Sequence, residues 1–337
     1  MSIRIIKPGV FSTVQDLGRA RFLDQAVPVS GAMDKVSVSI ANLLVGNATD
    51  AAVIEIVDGN FEYITREDVL MALVSGDAHF EIDHKATPVN RPLFIRKGAT
   101  IHLKNNIGGR YSYLAIAGGW DVPDVLGSKS TFVTAGFGGY QGRPLRKGDE
   151  LMAAQTYSAQ NKMLFDHLKS ETVNWPAWSA PAKQFLATAS SIVRVIVGTE
   201  FNWFEEKAVV HFFSKSYQFS NANRMGIRLQ GANITRKQSH QSELLSTAVV
   251  PGIIQVTGDG SLILLMADCQ TTGGYPRLAK VIEIDLPLCA QCKPGQPLQF
   301  ELINLEEAEK LYLDREKEFQ KLATAIQLKI ESYDASY

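Results

Sequence analysis

Two spacings of apolar residues organise the chain. In "TIHLKN" (100–105) apolar and polar positions alternate, the period of a half-buried strand. In "SGAMDKVSVSIANLLVGN" (30–47), Met33, Val36, Ile40, Leu43 and Leu44 fall at i, i+3, i+7, i+10 and i+11. That is helical spacing; it predicts a helix from about 34 to 45, with Gly46 as its stop. The strand period dominates elsewhere. "AAVIEIV" (51–57), "DVLMALVS" (68–75), "AHFEID" (78–83), "RPLFIRKG" (91–98) and "RYSYLAIAGG" (110–119) are short apolar runs with turn pairs between them, such as Asp58-Gly59 and Gly76-Asp77. Closely spaced short strands predict a sandwich or barrel rather than a doubly wound sheet.

The pattern changes over 151–190, where β-branched residues thin out and Pro, Ser and Ala are scattered. This reads as a partly helical connector. Strands resume at "SIVRVIVGTE" (191–200), and "GIIQVTGDGSLILLMAD" (252–268) predicts a hairpin around Gly258-Asp259-Gly260. "AKVIEIDLP" (279–287) and "QPLQFELIN" (296–304) extend the sheet, and the charged segment after Leu305 predicts a terminal helix. The expected organisation is a β-rich domain over 1–150, the connector, a β-barrel domain over 191–304 and a helix over 305–337.

Composition narrows the function. The chain has 337 residues, enough for about two domains of roughly 150 residues each. A formal net charge of −1 gives no electrostatic case for nucleic acid or an anionic membrane. The N-terminus lacks the apolar core of a signal peptide, and no apolar run reaches the roughly 20 residues of a membrane helix, so the cytoplasm is the expected location. The cysteines are Cys269, Cys289 and Cys292. Cys289 and Cys292 form a C-x-x-C without the second pair that a zinc site usually has, and read as small residues at a strand end. The six histidines show no metal-ligand spacing, so no metal is expected. There is no G-x-S-x-G elbow. "GGWDVPDVLGSKST" (118–131) fails as a P-loop because Ser128 separates Gly127 from Lys129. "GFGGYQG" (136–142) reads as a mobile glycine-rich loop.

Three polar clusters remain. In "STVQDLGR" and "VPVSGAMD", Gln15, Asp16, Arg19, Ser30, Gly31 and Asp34 crowd before a helix start, where free N–H groups bind anions. The same residues suit a Ser30 N-cap and an Asp16–Arg19 pair equally well. "SNANRMGIRLQG" (220–231) offers Arg224 and Arg228 for a carboxylate or phosphate, or else a surface bulge with a solvated arginine. "LMADCQTTGGYP" (265–276) ends a strand on Asp268, Gln270, Thr271, Thr272, Gly273, Gly274 and Tyr275. So many donors and acceptors, with glycines that permit close backbone approach, point to a binding site.

Taken together and in order, "GVFSTVQDLGR", "VPVSGAMD", "ANLLVGN", "GGWDVPDVLGSKST", "GFGGYQGRPLRKGD", "RMGIRLQG", "PGIIQV" and "MADCQTTGGYP" resemble the biotin-dependent carboxyltransferase family, which includes the C subunit of 5-oxoprolinase, KipA and allophanate-hydrolase-type subunits. The resemblance spans about residues 9 to 300. It implies two cyclophilin-like β-barrel domains with a few helices. It also implies a component of an ATP-dependent 5-oxoprolinase, working with subunits A and B, the B-like (KipI-like) protein being the direct partner. That enzyme opens 5-oxo-L-proline to L-glutamate, and phosphorylating the lactam carbonyl would explain its use of ATP, bound by this chain or by a partner. Asp268, Gln270 and Arg224 are the residues implied for catalysis. Gln255, carried in "PGIIQV", joins the substrate-binding set. Two alternatives come with the family: a carboxyltransferase component acting on urea or a related amide, and a KipA-like antagonist that binds its partner without turnover. No biotin-carrier motif is present, so any biotin would arrive on another protein. The sequence departs from the family pattern at Ala20-Arg21-Phe22, at Ala26, and at Cys269, where a basic residue is common.

Overall fold

The computed structural model describes residues 1–185, 191–241 and 243–333. Residues 186–190 of the expected connector and 334–337 of the expected terminal helix lie outside the described residues. The chain divides into two compact units. Unit 1 comprises Met1–Arg19, Asp34–Thr188 and Glu318–Tyr337; unit 2 comprises Ala20–Met33 and Ala189–Lys317.

Unit 1 holds eleven described strands: β1 (Ser2–Pro8), β2 (Phe11–Gln15), β3 (Val53–Val57), β4 (Phe61–Thr65), β5 (Val69–Val74), β6 (Ala78–Ile82), β7 (Lys85–Ala86), β8 (Pro92–Ile95), β9 (Thr100–Asn106), β10 (Tyr111–Ile116) and β11 (Glu150–Met152). They form two antiparallel sheets, ordered β11-β1-β4-β9-β6-β7 and β2-β3-β10-β5-β8. Ile5, Tyr63 and Ile101 from the first sheet share one core with Ile54, Met71 and Leu114 from the second. The outer face of the second sheet is buried too, because helix α1 (Lys35–Leu44) covers β5 and β10. These strands are therefore apolar on both faces and read as continuous runs. Asp34 caps α1: its carboxylate accepts from the Ser37 amide at 3.0 Å and the Ser37 hydroxyl at 2.6 Å. Gly46, at φ +76°, lies just beyond the helix end. Helices α2 (Ala159–Leu168) and α3 (Ala182–Phe185) follow.

Unit 2 is built on a closed barrel. Its strands are β12 (Ile192–Val197), β13 (Tyr217–Ala222), β14 (Gly226–Gln230), β16 (Ile253–Val256), β17 (Leu262–Leu265), β19 (Arg277–Val281) and β20 (Pro297–Leu302), with a separate ribbon of β15 (Thr247–Ala248) and β18 (Thr272–Gly273). The order is β12-β19-β16-β17-β14-β13-β20, closed by parallel pairing of β20 with β12. Side chains fill a barrel of this size. Phe300 stacks on Phe212 of helix α4 (Glu206–Ser214) with centroids 4.7 Å apart. The last helices are α5 (Leu286–Gln291) and α6 (Leu305–Glu331); the Asn304 side chain accepts from the Glu307 amide at 2.7 Å and so starts α6. No described helix is long and apolar enough to cross a membrane.

Two sequence expectations are corrected here. The strand expected over 279–287 ends at Val281, and Cys289 and Cys292 sit on α5 and at its C-cap rather than at a strand end. Pro287, unable to pair in a sheet but suited to a first helical turn, makes the switch. Helix α4 is an addition to the expected elements, although Ala208 and Phe212 bury one of its faces at i, i+4.

Candidate functional site

The barrel presents a row of side chains on its outer face. Ile227, Leu229 and Leu264 are buried, so their neighbours Arg228 and Ile263 point the other way. Register places Asn221 beside Arg228, Arg228 beside Ile263, and Ile263 beside Gln255, across β13, β14, β17 and β16. Directly paired positions on one face put side chains in contact range. This row forms the floor of a cavity of about 250 Å³. Asn223, Met225, Gly226 and Leu265 line one side, and Gln270 and Tyr275 close it from the "MADCQTTGGYP" segment.

That segment is held in place along its length. The Thr271 carbonyl accepts from the Val249 amide at 2.9 Å, and Thr272 and Gly273 pair with Ala248 and Thr247. Gln255 is buried and donates to the Tyr275 carbonyl at 3.2 Å. Gly273 is needed for room: a Cβ there would meet the Gln255 amide nitrogen at 2.7 Å and that of Gln270 at 3.4 Å. A Cβ on Gly274 would lie 3.0 Å from the Leu244 carbonyl. Neither glycine has a positive φ, so close packing is what they provide.

Asp268 and Arg224 form a buried bidentate ion pair, at 2.7 Å from Nε and 3.0 Å from Nη2, and neither lines the cavity. Arg224 Nη2 also donates to the Gly31 carbonyl at 2.5 Å. The pair fastens both cavity walls, since Arg224 lies between Asn223 and Met225, and Asp268 lies two residues before Gln270. Cys269 beside it has its thiol pushed up to about 12, by burial first and by the Asp268 charge second, so it stays protonated and is no nucleophile.

The first sequence cluster lies elsewhere. Asp16 accepts from the Ser128 hydroxyl at 2.7 Å, the Lys129 amide at 2.5 Å and the Gly18 amide at 2.8 Å. Gln15 donates to Thr13 at 2.9 Å and to the Thr131 carbonyl at 3.2 Å. Arg19 donates to the Ser130 carbonyl and lies over the Phe137 ring at 5.0 Å. All three tie the "GSKST" and "GFGG" segments to β2 within unit 1. Asp34 fills the α1 N-terminus with its own carboxylate, where an external anion was one expectation. Ser30 is not the cap; it belongs to unit 2, buried, at φ +52° next to Gly31. The sequence thus identifies Gln255, Gln270 and Tyr275 of the cavity but not Asn221 or Ile263, and it does not place Arg228 in the substrate-binding set. Alternation in "GIRLQ" is the signal available for Arg228.

Arg277, next after the segment, is bound by Glu200 at 2.7 and 2.6 Å. Burial alone would raise the Glu200 carboxyl, but hydrogen bonds and charge from Arg277 outweigh it and hold the carboxyl below its usual range. A depressed carboxylate stabilises the fold above its unfolded pKa of about 4.3 and loses that contribution as pH falls through the folded value. Glu200→Gln should cost about 1.5–3 kcal/mol at neutral pH. That difference should shrink towards zero below about pH 4, as measured by urea unfolding across pH. A pH-independent difference would rule out the ionised pair as its source.

The family described as "Carboxyltransferase domain, subdomain A and B" matches residues 25–302. A chain from Escherichia coli, named as the C subunit of 5-oxoprolinase, is 37% identical over 322 residues, covering 95% of this chain and 97% of that one. A chain of the same name from Haemophilus influenzae is 33% identical, covering 90% and 94%. The crystal structure of the K. lactis urea amidolyase superposes with a TM-score of 0.85 at 27% identity, over 95% of this chain but 20% of that longer one.

Proposed function

Because the chain belongs to the carboxyltransferase subdomain A and B family, we propose that it is the C subunit of an ATP-dependent 5-oxoprolinase complex, which opens 5-oxo-L-proline to L-glutamate in the cytoplasm. The end-to-end match to the E. coli chain supports this reading. Subunits A and B are the expected partners, with the B-like protein in direct contact. The chain's own part is to bind and orient the lactam, with neutral amide side chains and one arginine set around it.

ATP does not fit the cavity. Its volume is below the roughly 300–1,000 Å³ of sites for drug-sized ligands, and among the described residues Arg228 is the only cation lining it. We therefore propose that a partner protein binds the nucleotide. The family description and the urea amidolyase likeness favour a second reading, carboxyl transfer to an amide. In that case Gln255 and Gln270 would face the ureido ring of a biotin carried by another protein.

Reconstitution tests the proposal. This chain, mixed with its A and B homologues, 5-oxoproline and ATP, should yield glutamate and phosphate in equal amounts, and both should vanish when the chain is omitted. An assembled complex that makes no glutamate would leave carboxyl transfer as the reading to pursue.

A further inference from the structure

The cavity on the outer face of the barrel has a composition that selects its ligand. Among the described residues, its polar side chains are amides, one phenol and a single guanidinium, and none is a carboxylate. Arg228 is exposed, and among the described residues its guanidinium has neither an ion-pair nor a hydrogen-bond partner. The side-chain amides of half-buried Gln270 and exposed Asn221 likewise have no hydrogen-bond partner among the described residues. A guanidinium next to no carboxylate favours an anion, and its planar fork matches a carboxylate in two-point contact. Each carboxamide carries both a donor and an acceptor, as a lactam or ureido edge does. Ile263, adjacent to Arg228 across the sheet, and the half-exposed Tyr275 ring offer apolar surface for a small ring.

We infer that this cavity is an anion-selective amide site, taking a compact cyclic amide that bears one carboxylate, and that Arg228 is its specificity residue. The inference rests on the proposed 5-oxoprolinase reading and adds where and how the lactam acid is recognised. The guanidinium grips the carboxylate, Gln255 and Gln270 face the ring amide, and the ring methylenes lie on Ile263. A neutral lactam meets the amides but leaves the guanidinium unanswered. A simple anion meets the guanidinium but not the amides.

Two measurements on Arg228→Gln test this. Arg228 is exposed, so the variant should fold as the wild type does, which circular dichroism checks. In the reconstituted complex, the variant should raise KM for 5-oxoproline about 10- to 100-fold, the range expected for a lost charge-assisted hydrogen-bond pair. KM for ATP and the assembly of the complex should stay unchanged. On the full chain alone, ligand-detected NMR should show 5-oxoproline binding in preference to 2-pyrrolidinone and to inorganic phosphate, with the preference lost in the variant. An active complex whose KM is indifferent to the substitution overturns the site and leaves the proposed function standing. A wild-type complex with no turnover removes the function, and the NMR panel then decides the site separately. Phosphate or 2-pyrrolidinone binding as well as the lactam acid overturns it.

Discussion

Asp268→Ala should destabilise unit 2 by about 3–5 kcal/mol, the cost of removing one partner from a buried ion pair. The side chains of Arg224 and Asp268 are only 7% and 6% exposed. Their two hydrogen bonds, at 2.7 and 3.0 Å, leave little water to replace the carboxylate. After truncation the guanidinium keeps the Gly31 carbonyl at 2.5 Å but has lost its counter-charge. The loss concerns the cavity as much as the fold, because the pair joins the β13–β14 turn to the head of the Gln270 segment. Calorimetry should therefore show a lowered transition, and hydrogen exchange should rise in peptides covering 220–230 and 264–276. The double replacement Arg224→Met with Asp268→Leu removes both charges and should recover most of the stability. It should not recover the exchange protection of the Gln270 segment, whose position depends on the directed bonds. A single variant as stable as the wild type would show that water reaches the pair.

The sequence offers Arg224 and Arg228 alike as anion partners, and what separates them, one in a turn and one facing a cavity, is hard to read from spacing for a physical reason. Spacing shows two arginines four apart, with glycines at 226 and 231. It does not show that the strand begins at Gly226, so that Arg224 falls in the turn before it while Arg228 alternates outward between Ile227 and Leu229. Burial of Arg224 then depends on a partner 44 residues away, Asp268, which sequence proximity does not reveal. The elements that are legible have local causes: the α1 periodicity, the β16–β17 hairpin around Gly258-Asp259-Gly260, and the charged α6. The first polar cluster stays open between two readings in the sequence for the same reason. Asp16 finds Ser128 112 positions along the chain, and Arg19 finds Ser130 111 along. A dense set of polar residues near a helix start looks the same whether it awaits a ligand or a distant loop of its own chain.

That distant loop gives the second large effect. Gly138→Ala should cost about 3–5 kcal/mol, although "GFGGYQG" reads as a free glycine-rich loop. Gly138 sits at φ +72°, where an L-residue costs roughly 1–2 kcal/mol. A Cβ there would also fall on the Ser130 carbonyl oxygen and lie 3.0 Å from Arg19 Nη2. That carbonyl is the acceptor for the buried Arg19, and disturbing a hydrogen bond to a charged group adds about 1.5–3 kcal/mol. Gly136 provides the control within the same loop. Its φ is +69°, nearly the same, but a Cβ on it would meet nothing within 4 Å. Gly136→Ala should therefore show only the conformational cost of about 1–2 kcal/mol, and the difference between the two variants measures the packing of this loop against Arg19. Chemical denaturation of both variants reads that difference directly. Arg19 Nε also donates to the Val125 carbonyl at 3.4 Å, so equal losses would mean that the loop yields to the new methyl group, and that Arg19 is held by that carbonyl and the Phe137 ring rather than by the Ser130 carbonyl.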